Sequence, residues 1–217
     1  NNADGDSQNS SFTGGNHGYD GNTGGGATAE PISLEIYADG RNVEDGISYC
    51  NNLSLKWVNR VQAWNTKKAN GNGREVLEET HTITFNGTKW YTETELTFLE
   101  DCQITTCYGL QYFFDRTRTE IEYIGGNNRI TNEATVSSNC GVNKPNGIKI
   151  IDKYGLLTTT IEVDTNYDIG DRRFFQNNNS LRGAFTEPYN KCYFQIADAL
   201  TGQANEKYRY RGYYKFE

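Results

Sequence analysis

His81-Thr82-Ile83-Thr84-Phe85-Asn86-Gly87-Thr88-Lys89-Trp90-Tyr91-Thr92-Glu93-Thr94-Glu95-Leu96-Thr97-Phe98 is the stretch that decides the fold class. His81, Ile83 and Phe85 alternate with Thr82 and Thr84. After the turn, Trp90, Thr92, Thr94, Leu96 and Phe98 alternate with Tyr91, Glu93, Glu95 and Thr97. Period two over both halves is the signature of strands with one face inward. Asn86-Gly87 between them is the strongest short hairpin signal, because both residues tolerate positive φ.

The same texture runs outward from this hairpin. Ile32, Leu34 and Ile36 alternate with polar neighbours, and Ala38-Asp39-Gly40 closes a turn. Leu53, Leu55 and Trp57 form another such face. The closing segment places Tyr208, Tyr210, Gly212, Tyr214 and Phe216 opposite Lys207, Arg209, Arg211, Tyr213 and Lys215. Further β-like runs are 104–114, 120–124, 147–151, 157–163 and 192–196, and Ala197 to Ala204 reads as a short helix or turn. No helical period is sustained and no repeat is found. The expected architecture is therefore a single all-β domain, an antiparallel two-sheet sandwich or jelly roll.

Composition sets the remaining bounds. The 217 residues include 25 Asn, 23 Gly, 23 Thr and 15 Tyr, with 3 Pro and no Met. The hydrophobic fraction is only 35%, so aromatic and threonine-rich faces must fill the core. Residues 1–30 are rich in Gly and Asn with almost no aliphatic side chains. They cannot bury enough apolar surface to offset ordering entropy, and read as an arm or linker before a domain at 31–217. The chain opens on Asn1 rather than Met, which reads as a piece of a longer protein or a processed form. A formal charge of -7 argues against a general nucleic-acid binder and against an anionic membrane surface. No segment has the apolar length of a membrane helix. The five cysteines lack metal-site spacing, and their pairing stays open between buried thiols and one or two disulfides.

Candidate chemistry gathers at a few places. Asn16-His17-Gly18-Tyr19-Asp20 holds one of two histidines between glycines. Asn, His and Tyr are groups that neutralise a uronate carboxylate and take a proton in polysaccharide lyases; the plainer reading is a solvated arm. His81 is read as a partly buried histidine with a satisfied hydrogen bond, or as an acid/base partner near Arg74 and Glu75. Asp164, Asn166, Asp168 and Asp171 place oxygen ligands at intervals that would suit Ca²⁺, against the alternative of an ordinary turn; no other cofactor is implied. Of the aromatic residues, Trp57, Trp64, Trp90, Tyr112, Tyr167, Tyr189 and Tyr213 are candidates for stacking on sugar rings. Alternation assigns Trp57 and Trp90 to the core. Trp64, before a polar loop, is the best exposed candidate, with Asn16, His17, Tyr19 and Arg74 as further ligand contacts.

Gly14-Gly15-Asn16-His17-Gly18-Tyr19-Asp20, Leu34-Glu35-Ile36-Tyr37-Ala38-Asp39-Gly40, Tyr108-Gly109-Leu110-Gln111 and Arg211-Gly212-Tyr213-Tyr214-Lys215-Phe216 together resemble β-sandwich domains of phage tail fibres and tail spikes from gut bacteria. The resemblance implies an extracellular or virion-exposed receptor-binding domain. Its partner would be a glycan, such as a bacterial surface polysaccharide, and its assembly a homo-oligomeric trimer. A looser similarity is to sandwich domains of carbohydrate-active enzymes, mutarotase-like and lyase-like ones included. Three functions are therefore expected in order: glycan recognition, a lyase or hydrolase using His17 or His81 with Tyr and Arg partners, and a structural part of a fibre.

Overall fold

The computed structural model describes residues 2–4, 29–44, 46–63, 74–114, 119–124, 130–131, 147–164, 180–186 and 189–217. These residues form fourteen strands and no helix. In chain order they are β1 (Asn2–Asp4), β2 (Ala29–Ala38), β3 (Arg41–Asn42), β4 (Leu53–Gln62), β5 (Glu75–Asn86), β6 (Lys89–Phe98), β7 (Cys102–Phe113), β8 (Thr119–Ile124), β9 (Ile130–Thr131), β10 (Gly147–Asp152), β11 (Thr158–Val163), β12 (Ser180–Thr186), β13 (Tyr189–Gly202) and β14 (Lys207–Phe216). Ten strands make one sheet in the order β3-β2-β4-β5-β6-β14-β11-β10-β8-β9, and four make a second in the order β1-β7-β13-β12. Every pairing is antiparallel. This is the all-β, two-sheet sandwich expected from the alternation.

The core lies between the sheets. Val61, Leu77, Leu96, Phe98, Ile148 and Ile161 of the large sheet and Ile104 of β7 are fully buried. Leu110 and Cys102 of β7 join the same cluster. Each large apolar side chain buried in this way contributes about 1.5–3 kcal/mol. Tyrosines supply what aliphatic residues do not. Tyr208 and Tyr210 are buried, and the Tyr208 ring meets Phe98 edge-on at 5.5 Å. At the rim of the core, the Tyr214 hydroxyl donates to the Gln111 carbonyl and accepts from the Gln111 N–H, both at 3.0 Å. The Thr159 hydroxyl donates to the Tyr112 hydroxyl at 3.1 Å. Polar inner atoms are thus satisfied across the two layers.

Three expectations are corrected. First, the β5–β6 hairpin turns on Gly87-Thr88, since Asn86 pairs with Lys89. Gly87 alone takes positive φ, at 54°, the Gly-first arrangement of a II′ turn, so Asn86 is free to extend the ladder. Second, Ala197–Gly202 is not helix or turn. It continues β13, because Asp198, Leu200 and Gly202 pair with Thr106, Ile104 and Cys102 of β7. The turn comes only at Gln203–Glu206, with Asn205 at φ 71°. Third, Trp90 is not a core residue. It is 37% exposed and packs at the edge against Phe85 and Phe216, with centroids at 5.1 and 4.5 Å. The Asp39-Gly40 turn forms as read, joining β2 to β3 with φ of 48° and 78°.

Candidate functional site

The outer face of the large sheet carries the charged half of each alternating strand. Registry brings these side chains into rows: Arg211 of β14 lies opposite Glu93 of β6, Arg209 opposite Glu95, and Tyr213 opposite Tyr91. On the other side of β14, Glu162 of β11 pairs with Tyr213. On the other side of β6, Thr82 and Thr84 of β5 pair with Glu93 and Tyr91. Opposite charges set directly across a ladder stabilise the register by a few tenths of a kcal/mol each, roughly.

A cleft of about 580 Å³ opens on this face. Its floor is the strand backbone at Thr92, Gly212 and Val163. Its walls are Tyr91 and Tyr213, whose rings lie 6.4 Å apart. The Lys89 ammonium sits over both rings, 3.7 Å from the Tyr213 centroid and 4.9 Å from that of Tyr91. Glu93, Glu162, Asp164 and Arg211 complete the rim. Arg211 is held in place by Asp164, its Nε donating at 2.8 Å and its Nη2 lying 2.7 Å from the same carboxylate oxygen.

The electrostatics follow from these contacts. The Tyr213 hydroxyl donates to a carboxylate oxygen of Glu162. Burial, together with the hydrogen bond and charge of Glu162, pushes the Tyr213 pKa above the ordinary tyrosine range. Tyr213 therefore stays protonated at neutral pH and is unsuited to act as a general base. Beyond the cleft, Glu95 is clamped by Lys207, at 2.9 Å, and by Arg209. Burial opposes the Glu95 charge, but the hydrogen bonds and attraction of Lys207 and Arg209 outweigh it and hold the carboxyl below its usual value.

The residues singled out from the sequence fall elsewhere or outside view. Asn16, His17, Tyr19, Trp64, Asn166, Asp168 and Asp171 lie outside the described residues, as do Tyr167 and the side chain of Tyr189. Arg74 stands at the start of β5 and binds Glu100 at 2.7 Å. It is seven residues from His81 along an extended strand, roughly 23 Å, and the two do not meet. His81 faces inward, stacked on Trp57 at 4.9 Å and 21°. Its Nδ1 shares a hydrogen bond of 3.0 Å with the buried Thr94 hydroxyl, and its Nε2 lies 3.5 Å from Glu79. Asp164 is at the cleft rim, engaged with Arg211. Of the stacking candidates among the described residues, Tyr213 alone lines the cleft; Tyr112 packs toward the core. The cleft residues that sequence reasoning missed are Lys89, Tyr91, Glu93, Glu162 and Arg211. Their signal was outward alternation on β6, β11 and β14, which had no meaning until the three strands were known to be neighbours.

The fold and the cleft define the class: an antiparallel two-sheet β-sandwich with an aromatic, carboxylate-rimmed groove on the outer face of its larger sheet. Among solved structures, the chain is similar in fold to the galactosidase domain of the α-galactosidase–sucrose kinase AgaSK, with a TM-score of 0.53 and 9% identity. It is also similar to the GH36 α-galactosidase AgaB from Geobacillus stearothermophilus, with a TM-score of 0.54 and 9% identity. Each match covers 87% of this chain and only 28% of the other. The chain thus shares its fold with a β-rich portion of two carbohydrate-active enzymes. No family model matches it, and no curated protein sequence matches it. Among the described residues there is no cluster of three or more His, Cys, Asp or Glu side chains gathered as a metal ion would require. No helix in them is long and apolar enough to cross a membrane.

Proposed function

We propose that this domain recognises a glycan, with the Tyr91–Tyr213 groove as its binding site. The observation that carries the reading is the pair of tyrosine rings, 6.4 Å apart in a cleft rimmed by Glu93, Glu162, Asp164 and Arg211. Flat apolar rings stack on the C–H faces of sugars, and charged groups beside them bind hydroxyls. Two fold relatives are α-galactosidases, which supports a carbohydrate setting. The resemblance to phage tail fibre and tail spike domains points further, to a receptor-binding domain outside the cell or on a virion that meets a bacterial surface polysaccharide, within a trimer.

A glycan-array screen of the wild type and Tyr91→Ala, with product analysis of every hit, tests the reading. Binding without product, weakened up to about tenfold by Tyr91→Ala, is the expected result; a stacking aromatic is worth about 0.5–1.5 kcal/mol beyond the area it buries. Unsaturated or reducing-end products would overturn pure recognition in favour of a depolymerase. Absence of any binding would leave the structural role in a fibre.

A further inference from the structure

The groove holds a cation of its own. Lys89 closes the β5–β6 hairpin, and its ammonium lies over the faces of both tyrosines, at 3.7 and 4.9 Å from their centroids. Tyrosine faces attract ammonium groups through the ring quadrupole, and more strongly where water is partly excluded. The rim adds three carboxylates, of Glu93, Glu162 and Asp164, against the two cations Lys89 and Arg211. Asp164 and Arg211 are bound to each other, which leaves Glu93 and Glu162 as the rim carboxylates outside that pair, and the charges of Glu162 and of Glu217 beyond the rim act on Tyr213.

A neutral sugar stacking on these rings must displace the lysine and gains no charge in return. A uronate placed there faces Glu93 and Glu162 with like charge, which is destabilising at short range. An ammonium carried by the ligand replaces Lys89 Nζ with the same chemistry. Lys89 is itself well suited to yield: it is a compact charge on a flexible four-carbon stem.

Resting on the glycan reading, we propose that the groove selects sugars bearing a protonated amine, the ligand's ammonium taking the place now filled by Lys89 Nζ over Tyr91 and Tyr213. Lys89 is then an internal competitor, and Glu93 and Glu162 are the residues that set the charge preference.

The experiment is calorimetric titration of the full chain at about pH 6, where the sugar amine is protonated. The probes are glucosamine oligomers, N-acetylglucosamine oligomers of equal length, oligogalacturonate, and spermidine as an amine without a sugar. The glucosamine oligomers are expected to bind at least about tenfold tighter than the acetylated ones. Lys89→Ala should tighten that binding several-fold, while Glu93→Gln, an isosteric change on the exposed face, should weaken it. Equal or tighter binding of the acetylated oligomers or of oligogalacturonate overturns the amine selectivity and leaves the glycan reading standing. Spermidine binding as tightly as the oligomers keeps the amine preference and overturns the glycan reading. Unchanged affinity in Lys89→Ala overturns the displacement of the internal cation. No heat with any probe overturns the proposal, and the glycan reading then rests on the array alone.

Discussion

Gly212 of β14 packs against the carbonyl oxygen of Glu162 on β11 with no space between them for a side chain. Leu110 of β7 closes the same position from the core side. The glycine thus lets β14 and β11 come together directly beneath the groove, and it separates Arg211 of the groove's rim from Tyr213 of its wall. Gly212→Ala must push one strand away from the other. The expected loss is about 3 kcal/mol in urea denaturation, by overpacking. Gly87→Ala is the matched control: nothing lies within 4 Å of its added methyl, and only the φ of +54° is penalised, at about 1 kcal/mol. Equal losses at the two sites would mean that the β11–β14 approach is looser than described.

A second tight approach lies at the end of β13, where a methyl on Gly202 would overlap the ring of Phe98. Phe98 is fully buried and cannot swing into solvent. Gly202→Ala is expected to cost about 2 kcal/mol. Phe98→Leu alone should also destabilise, by about 1–2 kcal/mol from lost volume. Combined, the two changes should cost less than their sum, because the shorter side chain makes room for the methyl. A double-mutant cycle by chemical denaturation checks this, and strict additivity would show that the two positions are not in contact.

How much of this was readable from the chain depends on sequence distance. The β5–β6 hairpin was legible because Thr82 to Phe98 carries its own alternation and its own turn; only the turn's position slipped, since Gly87 can supply positive φ without help from Asn86. The inward tyrosine face of β14 was legible for the same local reason. The groove was not. It exists because Tyr91 and Tyr213 are paired, and nothing within either strand specifies the other as its neighbour; such non-local pairing is decided by the packing of the whole sheet. Ala197–Gly202 was misread for the same cause: its pairing with β7 overrides a weak local pattern.

The outer-face charges predict an acid and an alkaline limb in stability. Glu95 has a folded pKa below its ordinary value of 4.5, so below that value the unfolded chain binds the proton more readily. Its contribution is present above 4.5 and is lost as pH falls through the folded pKa. The stability gap between wild type and Glu95→Gln, measured by denaturation between about pH 5 and pH 2, should shrink toward the acid end. Tyr213 behaves in the opposite sense. Its folded pKa lies above the ordinary 10.0, so its contribution is complete below that value and is lost as pH rises past it. Tyr213→Phe should therefore flatten the alkaline fall in stability. An alkaline limb identical in both proteins would show that Tyr213 does not donate a hydrogen bond to Glu162 as described.

His81 offers a separation of stability from recognition. It lies on β5 beside Thr82 and Thr84, but successive side chains of a strand point to opposite faces. Thr82 and Thr84 line the groove, while His81 stacks on Trp57 and bonds Thr94 on the inner side. Thr94 is only 2% exposed, so removing the imidazole strips a buried hydroxyl of a partner and removes a ring stack. His81→Ala is expected to lose about 2 kcal/mol in urea denaturation. Glycan affinity should stay within about twofold of wild type under native conditions, since no groove side chain is touched. Arg74→Ala, at the far end of β5 with Glu100, should likewise leave affinity unchanged and lose at most about 1 kcal/mol, as befits a half-exposed ion pair. If His81→Ala instead weakened binding as Tyr91→Ala is expected to, while the protein stayed folded by circular dichroism, the ligand would have to sit on the inner face beside Trp57 and Glu79. The outer groove would then be a surface feature of the sheet and nothing more.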